Sequence, residues 1–343
     1  MSATAADILQ AAALLESGSL VAFPTETVYG LGADAENPAA VSNIYTAKGR
    51  PSNHPVIVHL APEADIGYWT KDIPPVAHQL IKAFWPGPLT LILKRADHIP
   101  DAVSGGQDSI GLRCPSHPVA QALLRAFKAG KGGVAAPSAN KFGHVSPTTA
   151  RHVLDEFSQE TQPGGLIAAV LDGGQSDVGI ESTILDLTRL ATHGPVLLRP
   201  GHISASQIAQ VIGVNPAAPD AAAPRASGTL EAHYAPNTPV VLVDAAELNQ
   251  TVTQLFAAGK RIAMMRCQCQ EQVIAPIAQR QMSIDPVIYA HDLYAALREL
   301  DLVHADIILV EALPQDKAWQ GVNDRLKRAA FDSREVLQKL LSL

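Results

Sequence analysis

The sequence predicts an α/β protein of two domains: a mixed sheet with helices packed on it, then a small parallel, Rossmann-like sheet. Three observations carry this. Short β-like runs alternate with helical patterns from the start; an Ala- and Pro-rich stretch interrupts them near 215–239; a second alternation of strands and helices follows. At 343 residues the length favours two domains over one. A hydrophobic content of 47% against 17% charged residues fits a chain that buries a core.

The elements follow in order. Residues 1–23 begin with an amphipathic helix, Ile8, Leu9, Ala12 and Leu15 falling at helical spacing, with Asp7 and Glu16 breaking any signal-peptide pattern. "SLVAF" (19–23), "PVIVHL" (55–60), "LTLILK" (89–94), "SIGLRC" (109–114), "GGVAAP" (132–137), "LIAAVLD" (166–172), "STILDL" (182–187) and "PVLLR" (195–199) read as strands. Helical patterns fit 38–48, 74–84, 117–128, 148–157 and 204–211. That ratio is too rich in strands for a simple βαβ array, so a mixed sheet is expected. Residues 215–239 hold almost no large apolar side chain before Leu230 and read as an extended linker. Beyond it, strands at 239–244, 261–265 and 305–311 alternate with helices at 245–258, 287–300 and 316–329. The division expected is therefore a first domain over 1–212, a linker over 213–238 and a second domain over 239–343.

Several function classes drop out. No apolar run approaches the ~20 residues of a membrane-spanning helix. A formal charge of −7 leaves no global basic footprint for nucleic acid. Cys114, Cys267 and Cys269 make a poor disulfide framework and point to a reducing cytosol. Twelve scattered histidines and the Gln-flanked Cys267-x-Cys269 pair show no metal-ligand spacing, and no P-loop, G-x-S-x-G elbow or G-x-G-x-x-G turn is present. A soluble, cytoplasmic protein with no dedicated metal site is expected.

What remains is a set of polar loops at strand ends. "KGRPSNHPVIVHL" (48–60) puts Lys48 and Arg50 two apart, just ahead of a Pro-bounded turn and a strand. Alone they are ordinary cations facing a helix C-terminus. "PSANKFGHVSPTT" (137–149) sets Ser138, Asn140 and Ser146 after an apolar strand, either as phosphate contacts or as a capped turn with Ser146 or Thr148 starting the next helix. Arg113 lies inside an apolar strand, so it either pairs with an internal carboxylate or binds an anionic ligand with its bidentate fork. "FPTETVYGLGADA" (23–35) follows the first strand, and its glycines allow close backbone approach to a ligand. Together these stretches support an anionic small-molecule site.

Seven segments in order, "PTETVYGLGADA" (24–35), "KGRPSNHPVIVHL" (48–60), "FWPGPLTLIL" (84–93), "GLRCPSHPVA" (111–120), "APSANKFGHVSPT" (136–148), "GIESTILDL" (179–187) and "LLRPGHI" (197–203), closely resemble the threonylcarbamoyl-AMP synthases, whose catalytic unit is the YrdC-like domain. "HYAPNTPVVL" (233–242) and "GVNDRLKRAA" (321–330) resemble the long form, which adds a linker and a C-terminal Rossmann-like domain. The linker departs from the family, reading "ASGTLEAHYAP" where S-P-G-M often precedes H-Y-A-P.

The resemblance implies a YrdC-like mixed twisted sheet and formation of threonylcarbamoyl-adenylate from L-threonine, bicarbonate and ATP, with pyrophosphate released. It implies ATP contacts at Lys48 and Arg50 (K-x-R), Ser138 and Asn140 (S-x-N), Ser146 and Arg199, with a weaker carry-over to His54 and a closing residue in Tyr234. It implies threonine contacts at Thr27, His59, Arg113, Ser182 and Thr183. Mg2+ would arrive with ATP, no catalytic side chain is singled out, and the product would pass to proteins that modify the tRNA adenosine next to the anticodon. An RNA-binding module is the contrary reading, disfavoured by the −7 charge. Carbamoyltransferases that adenylate carbamoyl phosphate share the fold, but they are usually fused to catalytic modules that nothing here resembles.

Overall fold

A computed structural model describes residues 3–268 and 274–342, and Cys269 lies outside them. The chain divides into two units, Met1–Phe142 with Ser146–Thr229, and Gly143–Val145 with Leu230–Leu343. The residues read as a linker, 213–238, are shared between the two.

In the first unit nine strands form one sheet: β1 (Leu20–Phe23), β2 (Gly30–Asp34), β3 (Ile57–Leu60), β4 (Leu89–Lys94), β5 (Ser109–Arg113), β6 (Gly133–Ala135), β7 (Ile167–Val170), β8 (Thr183–Asp186) and β9 (Val196–Arg199), in the order β7-β1-β2-β6-β3-β5-β4-β8-β9. The sheet is mixed. β1/β7, β3/β5 and β4/β8 are parallel, and β1/β2, β2/β6, β3/β6, β4/β5 and β8/β9 antiparallel.

The eight strands expected from the sequence are all present; β2 is the addition. It occupies the "GLGAD" stretch, read from the sequence as part of the connection after the first strand, with glycines that allow close backbone approach to a ligand. Leu31 and Ala33 enter the main core, while a Cβ on Gly32 would sit 2.8 Å from Val134 Cγ1 and 2.9 Å from Phe23 Cε1. The glycine makes room for neighbouring strands, and its lack of a side chain erased the alternation that marks a strand.

The two faces of the sheet are covered differently. One packs Leu31, Val58, Leu60, Leu91 and Leu112 against the helices Pro38–Lys48 and Pro75–Phe84. The other packs Val21, Phe23, Val134 and Ala136 against the helices Ala5–Glu16 and Pro118–Ala126. Farther along this second face, Ile57, Ile92 and Ile184 cluster with Val196 and Leu198, and the small side chains of Ala223 and Ala226 from the linker segment pack against them. Ala217 of that segment exchanges backbone hydrogen bonds with Pro195 and Leu197 beside β9, both 2.9 Å.

The second unit has four parallel strands, β10 (Val240–Val243), β11 (Ile262–Arg266), β12 (Ala278–Gln281) and β13 (Ile307–Glu311), in the order β10-β13-β11-β12. This is the parallel α/β sheet expected. β12 was not anticipated: "AQRQ" is a polar edge strand with no buried position, so no apolar period betrays it. The terminal helix Ser333–Leu341 is likewise additional. Tyr234 belongs to this unit. Its backbone is left-handed (φ 62°), and its buried ring lies 5.8 Å from Tyr294 and beneath the Arg325 guanidinium at 5.4 Å.

Gly32→Ala is expected to lower stability by roughly 1–3 kcal/mol through overpacking against Val134 and Phe23. A urea midpoint within error of the wild type would show that the β1–β2–β6 contact yields more easily than the spacing implies.

Candidate functional site

Strand register assembles the site. His59 of β3 pairs with Arg113 of β5. Leu91 pairs with Leu112, which sets Thr90 of β4 opposite Arg113. Thr90 pairs with Ile184 of β8, and Ile184 with Arg199 of β9. Partners in register share a face, so His59, Arg113, Thr90, Ile184 and Arg199 form one row across five strands. The row starts at the edge of the helix-covered part of this face, where His59 meets Phe23, and runs on over the Ile57, Ile92 and Ile184 cluster. One step along, Ile57, Gly111 and Ile92 make an apolar floor, where Gly111 contributes no side chain between two isoleucines. Residues 225–227 line the opposite side of this hollow.

The turn after β1 stands at one end of the row. Thr25 Oγ1 and Thr27 Oγ1 share a hydrogen bond of 2.8 Å, and Thr25 also donates to Val28 O at 2.7 Å, which fixes the turn. Between them Glu26 accepts from the Ser116 backbone N–H at 3.0 Å and approaches Arg113 Nη2 at 2.7 Å. Arg113 and Glu26 are buried, 4% and 3% exposed. By distance they form an ion pair; by direction they do not form a hydrogen bond, and Arg113 Nε has no partner among the described residues. The charges attract while the donors remain open, since Coulomb attraction tolerates misalignment that a hydrogen bond does not.

His59 is buried edge-on to Phe23, with ring centroids 5.9 Å apart. Burial, reinforced by the Arg113 charge, pulls its pKa down to about 3, so it is neutral at physiological pH.

The K-x-R cations arise from a helix end. The helix Pro38–Lys48 starts at an Asn37 cap and stops at Gly49 in left-handed conformation (φ 63°). Lys48 is buried and donates to Ser138 O (2.6 Å) and to Asn140 O, tying the helix to the loop after β6. Burial, then the nearby Arg50 charge, holds its pKa well below the usual lysine value. Arg50 donates to Pro55 O at 2.9 Å and to Ser227 Oγ at 3.4 Å. Arg199 grips Ser182 O through Nε and Nη2 (3.1 and 2.9 Å) and Ser227 O through Nη1 (2.8 Å). Ser182 Oγ meets Thr90 Oγ1 at 2.8 Å.

Other expected residues are placed as follows. Ser146 Oγ donates to the buried carboxylate of Glu181 at 2.5 Å, while the cap of the next helix falls to Thr149, not to Ser146 or Thr148. Asn140 Nδ2 donates to Lys141 O at 2.7 Å. His54 is half-buried against Phe142 (5.6 Å), and burial followed by Arg50 lowers its pKa. Thr183 is not on the row: strand alternation turns it to the opposite face from Ile184, where its hydroxyl donates to Ile203 O at 2.7 Å. Tyr234 is a residue of the second unit.

Thus Arg113 stands between His59 in register and Glu26 of the Thr27 turn; Arg50 and Arg199 meet at Ser227, Arg199 also holding Ser182; and Lys48, Ser138 and Asn140 form a third group. Reading the sequence missed Glu26, Thr90, Glu181 and Ser227. A lone acid in "PTET" and another in "GIEST", each in an otherwise uncharged segment, were the available signals.

The His59 environment sets a pH dependence. Native His59 stays neutral down to about pH 3, whereas the unfolded residue protonates near 6.5. Above 6.5 neither state is charged. Between 6.5 and 3 only the unfolded chain takes the proton, so stability falls as pH falls, by up to ~1.4 kcal/mol per pH unit. The urea-midpoint gap between wild type and His59→Gln should therefore change from pH 7 to pH 5, the wild type losing more; a constant gap would show ordinary titration.

Comparison with known proteins identifies the family. A family model described as "Telomere recombination" (Sua5_yciO_yrdC) matches residues 13–201, and one described as "Threonylcarbamoyl-AMP synthase, C-terminal domain" matches residues 203–331. The threonylcarbamoyl-AMP synthase of Pyrococcus abyssi is 37% identical over 337 residues, covering 93% of each chain. That of Bacillus subtilis is 39% identical over 336 residues, covering 94% of this chain and 92% of the relative. The crystal structure of P. abyssi Sua5 complexed with L-threonine superposes with a TM-score of 0.85 at 34% identity, covering 96% of this chain and 95% of that one. With both parts of the chain matched and full-length relatives at this identity, the chain belongs to the threonylcarbamoyl-AMP synthase family.

Proposed function

We propose that the first unit condenses L-threonine, bicarbonate and ATP into threonylcarbamoyl-AMP and pyrophosphate, a nucleotidyl transfer. The observation that carries this reading is the row of His59, Arg113, Thr90 and Arg199 on an otherwise apolar sheet face, with Arg113 holding unused donors. A buried guanidinium with open donors suits a carboxylate, and a neutral His59 beside it adds no second charge. Threonine is placed by Thr27, His59, Arg113 and Ser182. Thr183 is assigned to the fold through its bond to Ile203.

ATP is placed by Lys48, Arg50, Ser138, Asn140, Ser146 and Arg199, with His54 at the margin; for Tyr234 the nucleotide contact implied by the resemblance stays a proposal. Arg50 and Arg199 both hold Ser227, through a hydroxyl and a carbonyl oxygen. Phosphate oxygens accept more strongly than either, so these arginines exchange Ser227 for the triphosphate when ATP binds. The Ile57–Gly111–Ile92 floor offers a dry surface beside them.

The chemistry needs little more. The threonine amine adds to CO2 or bicarbonate to give a carbamate, short-lived in water and protected by a dry cleft. The carbamate oxygen attacks the α-phosphorus while Arg50 and Arg199 neutralise the charge growing towards pyrophosphate. Holding the reactants together supplies much of the remaining barrier reduction. Mg2+ enters as part of MgATP, the substrate form, and shares in neutralising the triphosphate. No group of three or more His, Cys, Asp or Glu side chains among the described residues is placed to hold a metal ion.

The product would pass to separate proteins that transfer the threonylcarbamoyl group to the tRNA adenosine next to the anticodon. We place the protein in the cytoplasm, where Cys114 and Cys267 remain thiols as seen here. No helix among the described residues is long and apolar enough to cross a membrane.

Incubation with ATP, threonine and bicarbonate should give the adenylate by mass spectrometry, with stoichiometric pyrophosphate. Arg50→Ala should cut turnover by on the order of 100-fold or more while melting stays near the wild type. Near-normal turnover in the folded variant would remove Arg50 from the nucleotide site.

A further inference from the structure

The functional reading above accounts for Arg113 but leaves Glu26 as a bystander, and its setting argues otherwise. Glu26 is 3% exposed, and one of its carboxylate oxygens is fixed by the Ser116 N–H at 3.0 Å. The other, Oε1, lies 2.7 Å from Arg113 Nη2 without a hydrogen bond between them. A purely structural buried pair closes its hydrogen bonds, because each polar atom left open in a dry setting is destabilising. Here three stay open among the described residues: Arg113 Nε, Arg113 Nη2 and Glu26 Oε1. A cation and an anion side by side, both with capacity to spare, are complementary to a zwitterion.

An α-amino acid carries its carboxylate and its ammonium group on the same carbon, so a site that takes one must face the other. Capture of the carboxylate by Arg113 alone would leave the ammonium in a buried setting without a counter-charge. Among the described residues of the row no other side chain carries a counter-charge: His59 is neutral, though its Nδ1 is open, and the Thr90 hydroxyl is engaged with Ser182. We propose that Glu26 binds the substrate α-ammonium group, so that the Arg113–Glu26 pair opens into a receptor for the two charges of a free α-amino acid. This rests on the threonine reading above and adds a specificity-determining residue to it. Glu26 selects for an amine at the α-carbon, the group that must become the carbamate nitrogen.

The test is calorimetry on the full chain, without ATP or bicarbonate, using L-threonine and 2,3-dihydroxybutanoate, which replaces the ammonium by a hydroxyl. Wild type should prefer threonine by about 100-fold, the loss expected when a charged partner is left unmatched. Glu26→Gln should weaken threonine to the level of the analogue and leave the analogue within about 3-fold of its wild-type affinity. Equal weakening of both ligands would make Glu26 a support for Arg113 only and overturn the proposal. So would threonine affinity unchanged in Glu26→Gln. Melting and ATP binding report whether the variant folds. If it does not, wild type decides, since equal binding of the two ligands overturns the proposal without any variant. Failure of the functional reading shows differently: wild type makes no adenylate and gives no threonine heat, and the proposal falls with it. Failure of the proposal alone shows as adenylate formed equally well by wild type and Glu26→Gln.

Discussion

A positive charge inside the sheet is the constraint around which the first unit is arranged. Arg113 ends β5, a strand with neighbours on both sides and a helix-covered core behind it. A guanidinium there needs a counter-charge, and the turn after β1 provides one in Glu26. That turn is therefore polar yet buried, with two threonines closing it on themselves and Glu26 held outward between them. The same charge helps keep His59 neutral, and Thr90 is satisfied by Ser182 instead of by the arginine. One buried cation thus adds to the burial that keeps one neighbour neutral and sets the charge that another segment must carry.

The helices shape the site by where they stop. On the side of β1, β2 and β6, the second face of the sheet is sealed by the helices Ala5–Glu16 and Pro118–Ala126. Towards β5, β4 and β8 alanines of the linker segment pack against it. Large side chains in 215–229 would bury more area and hold the segment down more firmly. Alanine and serine cover the isoleucine floor lightly, and the segment is pinned by polar bonds instead: Ala217 to β9, the Arg225 N–H to Gln107 Oε1 at 2.7 Å, and Arg50 and Arg199 to Ser227. Of these bonds, the two at Ser227 are the ones whose donors an anion would compete for.

The sequence revealed the fold wherever packing leaves a periodic trace. Leu, Ile and Val runs located eight of the nine strands of the large sheet, and the alternation after residue 239 announced the parallel sheet. β2 was hidden because its glycines exist to admit Phe23 and Val134, and β12 because an exposed edge strand needs no apolar face. The linker's composition was legible but its structural role was not. A shortage of large apolar groups excludes a core of its own, yet small residues are what a close-lying segment over Ile57, Ile92 and Ile184 requires.

The site was legible in kind more than in detail. A cation in an apolar strand has to have a partner, so Arg113 could be singled out from sequence alone, while the two fates open to it, an internal carboxylate or a ligand, could not be ranked. The structure shows the first at 2.7 Å with hydrogen-bonding capacity left for the second. Glu26 was hard to see because its meaning depends on a strand far away in the chain, and pairing across a mixed sheet writes no local pattern. Thr183 shows what a motif leaves open. A motif match names a residue, but the two-residue period of β8 decides which face it serves, and that period sends Ile184 to the row and Thr183 to the core side. Register, which no motif records, is what turned a list of polar residues into one line of His59, Arg113, Thr90 and Arg199.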